Sequence, residues 1–266
     1  MRAAPRPESC AVLPAGSLRG RLALVTGAGS GIGRAITLRL LDLGATVVGV
    51  GRRQERLAET ASLAASDRFS FAALDIRDRP AAAAFVQSLG GLDLLVDNAG
   101  GQFVAPVDRI SPRGFAAVAD LNLTATAAII QAAHPGLKAR RGRVVNLSLS
   151  APDRGIPGLA HSAAARAGIA ALTRELARTW RADGIRLFCL APGTVLTDGV
   201  GGELPPEQLA EIVAKTPLGR DTSTAEVAEW VAALGSGVAD AVSGALVELD
   251  GGSGLVAAAS LDEGLA

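Results

Sequence analysis

From Leu22 onward the chain alternates between two kinds of segment. Short aliphatic and β-branched runs recur at Leu22–Thr26 (LALVT), Thr46–Val50 (TVVGV), Phe69–Leu74 (FSFAAL), Leu92–Val96 (LDLLV), Arg143–Ser148 (RVVNLS), Ile185–Leu190 (IRLFCL) and Ala245–Leu249 (ALVEL). Between them, Ala/Leu/Arg segments with helical spacing predict helices over Gly33–Leu43, Arg53–Ala65, Pro80–Leu89, Arg113–Ala133, Ser162–Ala182 and Thr224–Leu234. Strands that are apolar throughout, rather than at every second position, are buried on both faces, as in a parallel sheet covered by helices. The β–α alternation therefore predicts an α/β fold: a single doubly wound parallel sheet of the Rossmann type, with about seven strands joined by right-handed crossovers. No repeat or composition break divides the chain. Residues 21–252 read as one domain, after an extended lead-in (1–20) with three prolines and before a short tail (253–266).

Composition narrows the function. Of 266 residues, 49% are hydrophobic and 20% charged, which excludes disorder. Basic and acidic residues balance at 26 each, without the excess that a nucleic-acid partner demands. Cys10 and Cys189 lie far apart and no histidines cluster, so neither a disulfide framework nor a metal site is expected; Cys189 reads as a buried thiol. No apolar run approaches the ~20 residues of a bilayer span, and the terminal DEGLA is no peroxisomal address. A cytoplasmic protein without membrane partners is expected. Tyrosine is absent altogether.

The first strand runs straight into TGAGSGIG (Thr26–Gly33), and a helix follows. Strand, glycine turn and helix in that order form the context of a dinucleotide site. Gly27, Gly31 and Gly33, with Ser30 and Ile32 between them, permit a tight turn and bring backbone N–H groups up to a pyrophosphate. At the end of the second strand an acidic residue would hold a ribose 2′-hydroxyl, whereas arginine suits a 2′-phosphate. The chain places Arg52 and Arg53 there, with Arg34 nearby and no acid before Glu55, so NADP(H) is the expected cofactor.

With these pieces in place, Leu18 to Gly252 resembles the short-chain dehydrogenase/reductase family. TGAGSGIG is similar to the family's TGxxxGIG. Asp75 in LDIRD, followed by Ile76, resembles the acid that meets the adenine ring. DNAG (Asp97–Gly100) is similar to the family NNAG, placing Asn98, Ala99 and Gly100 beside the cofactor. Asn122 resembles the catalytic asparagine of the middle helix, and APGTVLT (Ala191–Thr197) the PGxxxT segment, with Pro192, Gly193, Val195 and Thr197 near the nicotinamide. Within the family, GGQFVAPVDRIS (Gly100–Ser111), HSAAARAG (His161–Gly168) and LTRELARTW (Leu172–Trp180) most resemble the trans-2-enoyl-CoA and dienoyl-CoA reductases.

The catalytic positions depart from that pattern. The family's serine, tyrosine and lysine fall on Leu149, Ser162 and Arg166. A serine hydroxyl lacks useful acidity near neutral pH, and arginine binds ribose but cannot shuttle a proton. Carbonyl reduction through a phenol is thereby excluded. Hydride transfer to an enoyl thioester is less demanding, because the enolate oxygen needs preorganised donors more than a strong acid. Ser148, Ser150, His161, Ser162 and Asn122 are the candidate donors; His161, with an ordinary pKa of about 6.5, is the candidate proton source, or packs at a helix start instead. His134 is expected to be structural. The resulting expectation is an NADPH-dependent reductase of an activated C=C bond, plausibly in a CoA or carrier thioester. The alternatives are a fold repurposed for non-redox chemistry and a catalytically silent binding subunit. The irregular Leu196–Pro217 segment is expected to close over a small-molecule substrate, and the resemblance implies a homotetramer built on the middle helix and on Ser162–Ala182.

Overall fold

A computed structural model describes residues 11–150, 157–197 and 206–255. Seven parallel strands form one sheet in the order β3-β2-β1-β4-β5-β6-β7: β1 (Leu22–Thr26), β2 (Thr46–Gly51), β3 (Phe69–Ala73), β4 (Leu94–Asp97), β5 (Arg143–Leu147), β6 (Arg186–Pro192) and β7 (Leu246–Leu249). Helices α1 (Gly31–Asp42), α2 (Gln54–Ala64), α3 (Arg79–Ser88), α4 (Pro112–Ala119), α5 (Thr126–Arg140), α6 (Ala160–Thr179), α7 (Pro206–Lys215) and α8 (Thr224–Ser236) fill the connections. The expected doubly wound fold is present.

Both faces of the sheet are apolar because successive strand residues point to opposite sides. Val25, Val47, Val96, Val145 and Phe188 pack with Ile36 and Leu40 of α1 and Val227 and Val231 of α8. Leu24, Leu95, Val144 and Leu187 meet Val86 of α3 and Ile129, Ile130 and Leu137 of α5. The chain winds outward from β1 to β3, then crosses back to β4 and winds the other way. That reversal opens a crevice between β1 and β4 at the carboxyl ends of the strands.

Three segments differ from the sequence reading. Residues 11–20 are docked rather than extended: Leu18 is buried in the core, its N–H donates to the Leu43 carbonyl, and the Val12 N–H donates to Glu229 of α8. The middle helix does not stop before Pro135. It continues to Arg140, because Leu137 is fully buried beyond the proline and rewards the extra turn. Between α4 and α5 the helix widens into a π-turn, Asp120–Ala125. The whole run, Pro112–Arg140, is 29 residues long and apolar enough to match a bilayer span. Ile129, Ile130, Ala133 and Leu137 are instead committed to the sheet. The strand β4 begins at Leu94 rather than Leu92, and just before it the Asp93 carboxylate accepts from the Leu22 N–H and from Arg21.

Candidate dinucleotide and substrate site

Thr26 ends β1 and works as a clamp: its hydroxyl accepts the N–H groups of Asn98 (3.0 Å) and Ala99 (2.9 Å), while the Asn98 amide returns a bond to the Thr26 carbonyl (2.9 Å). The two loops flanking the crevice are thus held together. Glycine is required at two points there. Gly27 has φ +70°, and a Cβ on it would strike the Asn98 amide nitrogen at 2.7 Å. A Cβ on Gly33 would collide with the Gly27 carbonyl. Ser30 precedes α1 in extended backbone, makes no side-chain cap, and no acid occupies the first turn. The leading N–H groups of the helix are left for an external anion, in a cradle that side chains would fill.

A cavity of about 450 Å³ lies over this cradle. It is lined by Gly27, Ser30, Gly31, Ile32 and Gly33 of the turn; Arg52 and Arg53 after β2; Asp75 and Ile76 after β3; Asn98, Ala99 and Gly100 after β4; and Thr197. Pro192, Gly193 and Val195 do not line it. They sit behind, where β6 is covered: the Gly193 N–H donates to Leu249 and Val195 is buried in the core. The lining also includes residues not singled out from the sequence, among them Gly29, Arg56, Leu57, Leu74 and Leu121.

The charges of the cleft differ in availability. Arg34, expected to add charge, is turned away and bonded to Gly29, Thr60 and Glu59. Arg56 shares Glu59. The Arg52 and Arg53 side chains are exposed and have no hydrogen-bonded or ion-paired partner among the described residues, although Arg52 lies near enough to help lower the Asp75 carboxyl. Asp75 is committed to Arg77 at 2.6 Å, and that guanidinium holds its carboxyl below the usual range.

The candidate catalytic residues form a layer behind Gly100. In the π-turn, Asn122 grips Gly101 with both ends of its amide: Oδ1 accepts the Gly101 N–H (3.0 Å) and Nδ2 donates to its carbonyl (2.9 Å). The Arg166 guanidinium lies so close to Gly100 that a Cβ there would overlap it, and it donates to the Leu147 carbonyl at 2.6 Å. Burial pulls its pKa down to about 10, so it remains a cation at neutral pH. The Ser148 hydroxyl donates to the Arg166 carbonyl, and Ser150 is buried with its N–H on Pro192. The Ser162 hydroxyl donates to Gln102 Oε1 at 2.8 Å. His161 is completely enclosed, its ring 4.3 Å from Phe103 and 6.5 Å from Phe115, and neither ring nitrogen has a hydrogen-bond partner among the described residues. Burial lowers its pKa, so the imidazole is neutral.

Other expectations meet the structure more simply. His134 bonds Asp183 at 2.8 Å and packs on Trp180. Cys189 is a free, buried thiol, pushed up to about 11 by burial. Among the described residues no cluster of metal ligands exists. Of the expected lid, Leu196–Pro217, residues 198–205 lie outside the described residues, and Pro206–Lys215 is not irregular but forms helix α7. Gln102 was not singled out from the sequence as a site residue, although the GGQF stretch signalled its neighbourhood. Asp97 and Asn146 were missed also, for want of the strand order that pairs them.

A switch-point crevice with a glycine cradle, cationic walls and a polar inner layer defines a nucleotide-binding oxidoreductase. The family model described as "Enoyl-(Acyl carrier protein) reductase" matches residues 27–254. A relative from Bacillus subtilis, described as a probable 2,4-dienoyl-CoA reductase that produces (2E)-enoyl-CoA, is 33% identical over 243 residues, covering 87% of this chain and 96% of its own. The 3-oxoacyl-(acyl-carrier-protein) reductase FabG of Pseudomonas aeruginosa is 35% identical over 244 residues, covering 89% and 98%. A crystal structure from Beutenbergia cavernae, described as an NAD(P)-dependent gluconate 5-dehydrogenase with NADP bound at low occupancy, superposes with a TM-score of 0.85 at 32% identity, covering 90% and 98%. The chain belongs to the short-chain dehydrogenase/reductase family.

Proposed function

We propose that the protein is an NADPH-dependent reductase of an activated C=C bond, with a 2-enoyl thioester as substrate. The observation that carries the reading is the pairing of a cleft rich in unpaired arginine with an inner layer that offers hydrogen-bond donors and no phenol. Arg52 and Arg53 suit a 2′-phosphate, and Asp75, the acidic side chain among the residues lining the cleft, is paired with Arg77 rather than left to select a 2′-hydroxyl. Likeness to the dienoyl-CoA reductase supports the acceptor class.

The bound dinucleotide supplies hydride, and the chain's own groups manage the charge that develops on the thioester oxygen. Ser162 commits its proton to Gln102 Oε1, which orients that amide and leaves its N–H pair to donate to the oxyanion. Asn122 fixes the Gly101 backbone, and Arg166 holds the neighbouring Gly100 from behind while its charge favours the enolate. His161, neutral and sealed between two phenyl rings, keeps these elements packed, and the Cα proton comes from water. A homotetramer formed through the exposed alanine-bearing face of α6 (Ala164, Ala171) and the middle helix completes the proposal.

The test is to incubate the protein with NADPH or NADH and 2-enoyl-CoAs of several chain lengths, following the absorbance of the reduced nicotinamide. Oxidation of NADPH in preference to NADH is expected, with one acyl equivalent reduced per cofactor. No turnover at any chain length would refute the reading.

A further inference from the structure

Among the described residues, the buried side-chain oxygens without a hydrogen-bond partner belong to two neighbours, Asp97 and Asn146. Asp97, the last residue of β4, is 3% exposed, and neither carboxyl oxygen has a hydrogen-bond donor among the described residues. Asn146 on β5 is 0% exposed; its Nδ2 donates to the Thr173 hydroxyl at 2.9 Å, but its Oδ1 has no donor among the described residues. Thr173 spends its own proton on the Ile169 carbonyl, so the Asn146 amide is fixed in that orientation. Asp97 and Asn146 are register partners on adjacent parallel strands, which puts both side chains on the same face. Adjacent strands lie about 4.8 Å apart, within the span of a hydrogen bond between two short side chains.

A buried carboxylate against an amide oxygen would set acceptor against acceptor, at a cost of several kcal/mol. One added proton removes the conflict. We infer that Asp97 is a carboxylic acid at neutral pH, its O–H donating to Asn146 Oδ1, and that this bond makes it a positioning residue for the Asn98–Gly100 wall of the cleft. The inference rests on that cleft being the cofactor site. Asn98 and Ala99 follow directly on Asp97 and carry the bonds to Thr26; Gly100 carries the contacts with Asn122 and Arg166. The tie between β4 and β5 therefore sets where the wall stands.

The surroundings agree. Burial alone pushes the Asp97 carboxyl well above its ordinary value, with no charged neighbour acting on it. On this face β6 contributes the Cys189 thiol, aligned with Asn146 and protonated up to about 11. Helix α6 contributes Thr173 and the Arg166 cation, whose guanidinium is held by Leu147. The buried polar residues of the π-turn and the start of α5, Asn122 and Thr126, do not titrate. The β1 neighbour at this level is Thr26.

The sign of the pH effect follows. The folded state holds a proton that the unfolded chain gives up near pH 4, so this group makes stability fall as pH rises from about 4 toward the elevated folded value. Three measurements on the full chain test the inference. Infrared difference spectra between the wild type and Asp97→Asn should contain a protonated-carboxyl band at pH 7; its absence overturns the inference, whether or not any nucleotide binds. Asp97→Asn, whose amide N–H can serve Asn146, should fold with the downward stability slope removed, read by urea midpoints from pH 5 to 9. NADPH titrations should show wild-type affinity weakening by roughly tenfold per pH unit once Asp97 ionises, whereas Asp97→Asn stays flat and Asp97→Leu is weak throughout. An unchanged alkaline limb in Asp97→Asn overturns the positioning role, since Arg166 and Cys189 would then account for it. Nucleotide silence with an intact carboxyl band would refute the cofactor reading and the positioning role, leaving the protonated pair.

Discussion

Replacing Arg52 and Arg53 by alanine should change which dinucleotide the protein prefers, more than whether it binds one. Both arginines line the cleft at the end of β2 and have no ion-pair partner among the described residues. Hydrogen bonds to charged groups contribute about 1.5–3 kcal/mol each. Both arginines are exposed, so solvent screening favours the lower end, and about 1.5 kcal/mol is roughly a tenfold change in affinity. Each single substitution should weaken NADPH about tenfold; the double change should weaken it up to about a hundredfold. NADH, with no 2′-phosphate, should lose less than about threefold. The assay is nicotinamide fluorescence titration at fixed low salt, repeated at higher salt, where the wild-type preference should shrink. Equal losses for both cofactors would show that the arginines hold the shared pyrophosphate or only solubilise the helix face. That result would refute the specificity argument.

Two other perturbations have signs set by the structure. Gln102→Ala should lower kcat by ~10²–10³ with little change in NADPH affinity, because it removes an oriented donor at the oxyanion; steady-state kinetics with unchanged cofactor titration would show this, and an unaltered kcat would refute it. Glu226 is held down to about 2 by Arg220 and by the Ser223 cap that opens α8. Its stabilisation, up to about 3 kcal/mol, is complete above the ordinary carboxyl value and lost as pH falls from about 4.5 toward 2. Glu226→Gln should therefore lower the urea midpoint at pH 7 and flatten the acid limb; an acid limb identical to wild type would contradict the assignment.

The fold was legible because its signals are local. Apolar runs spaced by helical segments announce a parallel sheet, and TGAGSGIG between strand and helix announces the cradle, with no tertiary information needed. What escaped depends on distance. Gln102 and Ser162 are sixty residues apart and meet only when the loop after β4 folds over the start of α6. Asp97 and Asn146 become partners only through strand order. The middle helix was expected to end at Ala133, and it runs on through Pro135 to Arg140, where burial of Leu137 outweighs the donor that proline removes. Arg34 looked available, and a glutamate one helix away claimed it.

The widened turn at Asp120–Ala125 places one more residue in its loop than an ordinary helix holds. An extra residue rotates everything downstream by about 100° relative to what lies upstream. One rod thereby carries two independent phases: α4 follows one, and the sheet-facing stripe of α5 follows another, with Asn122 at the junction between them. Drift in the outer stretch of the rod need not disturb the seating of the inner stretch, and the reverse holds as well. Architecture and chemistry can then change at separate rates along a single continuous element.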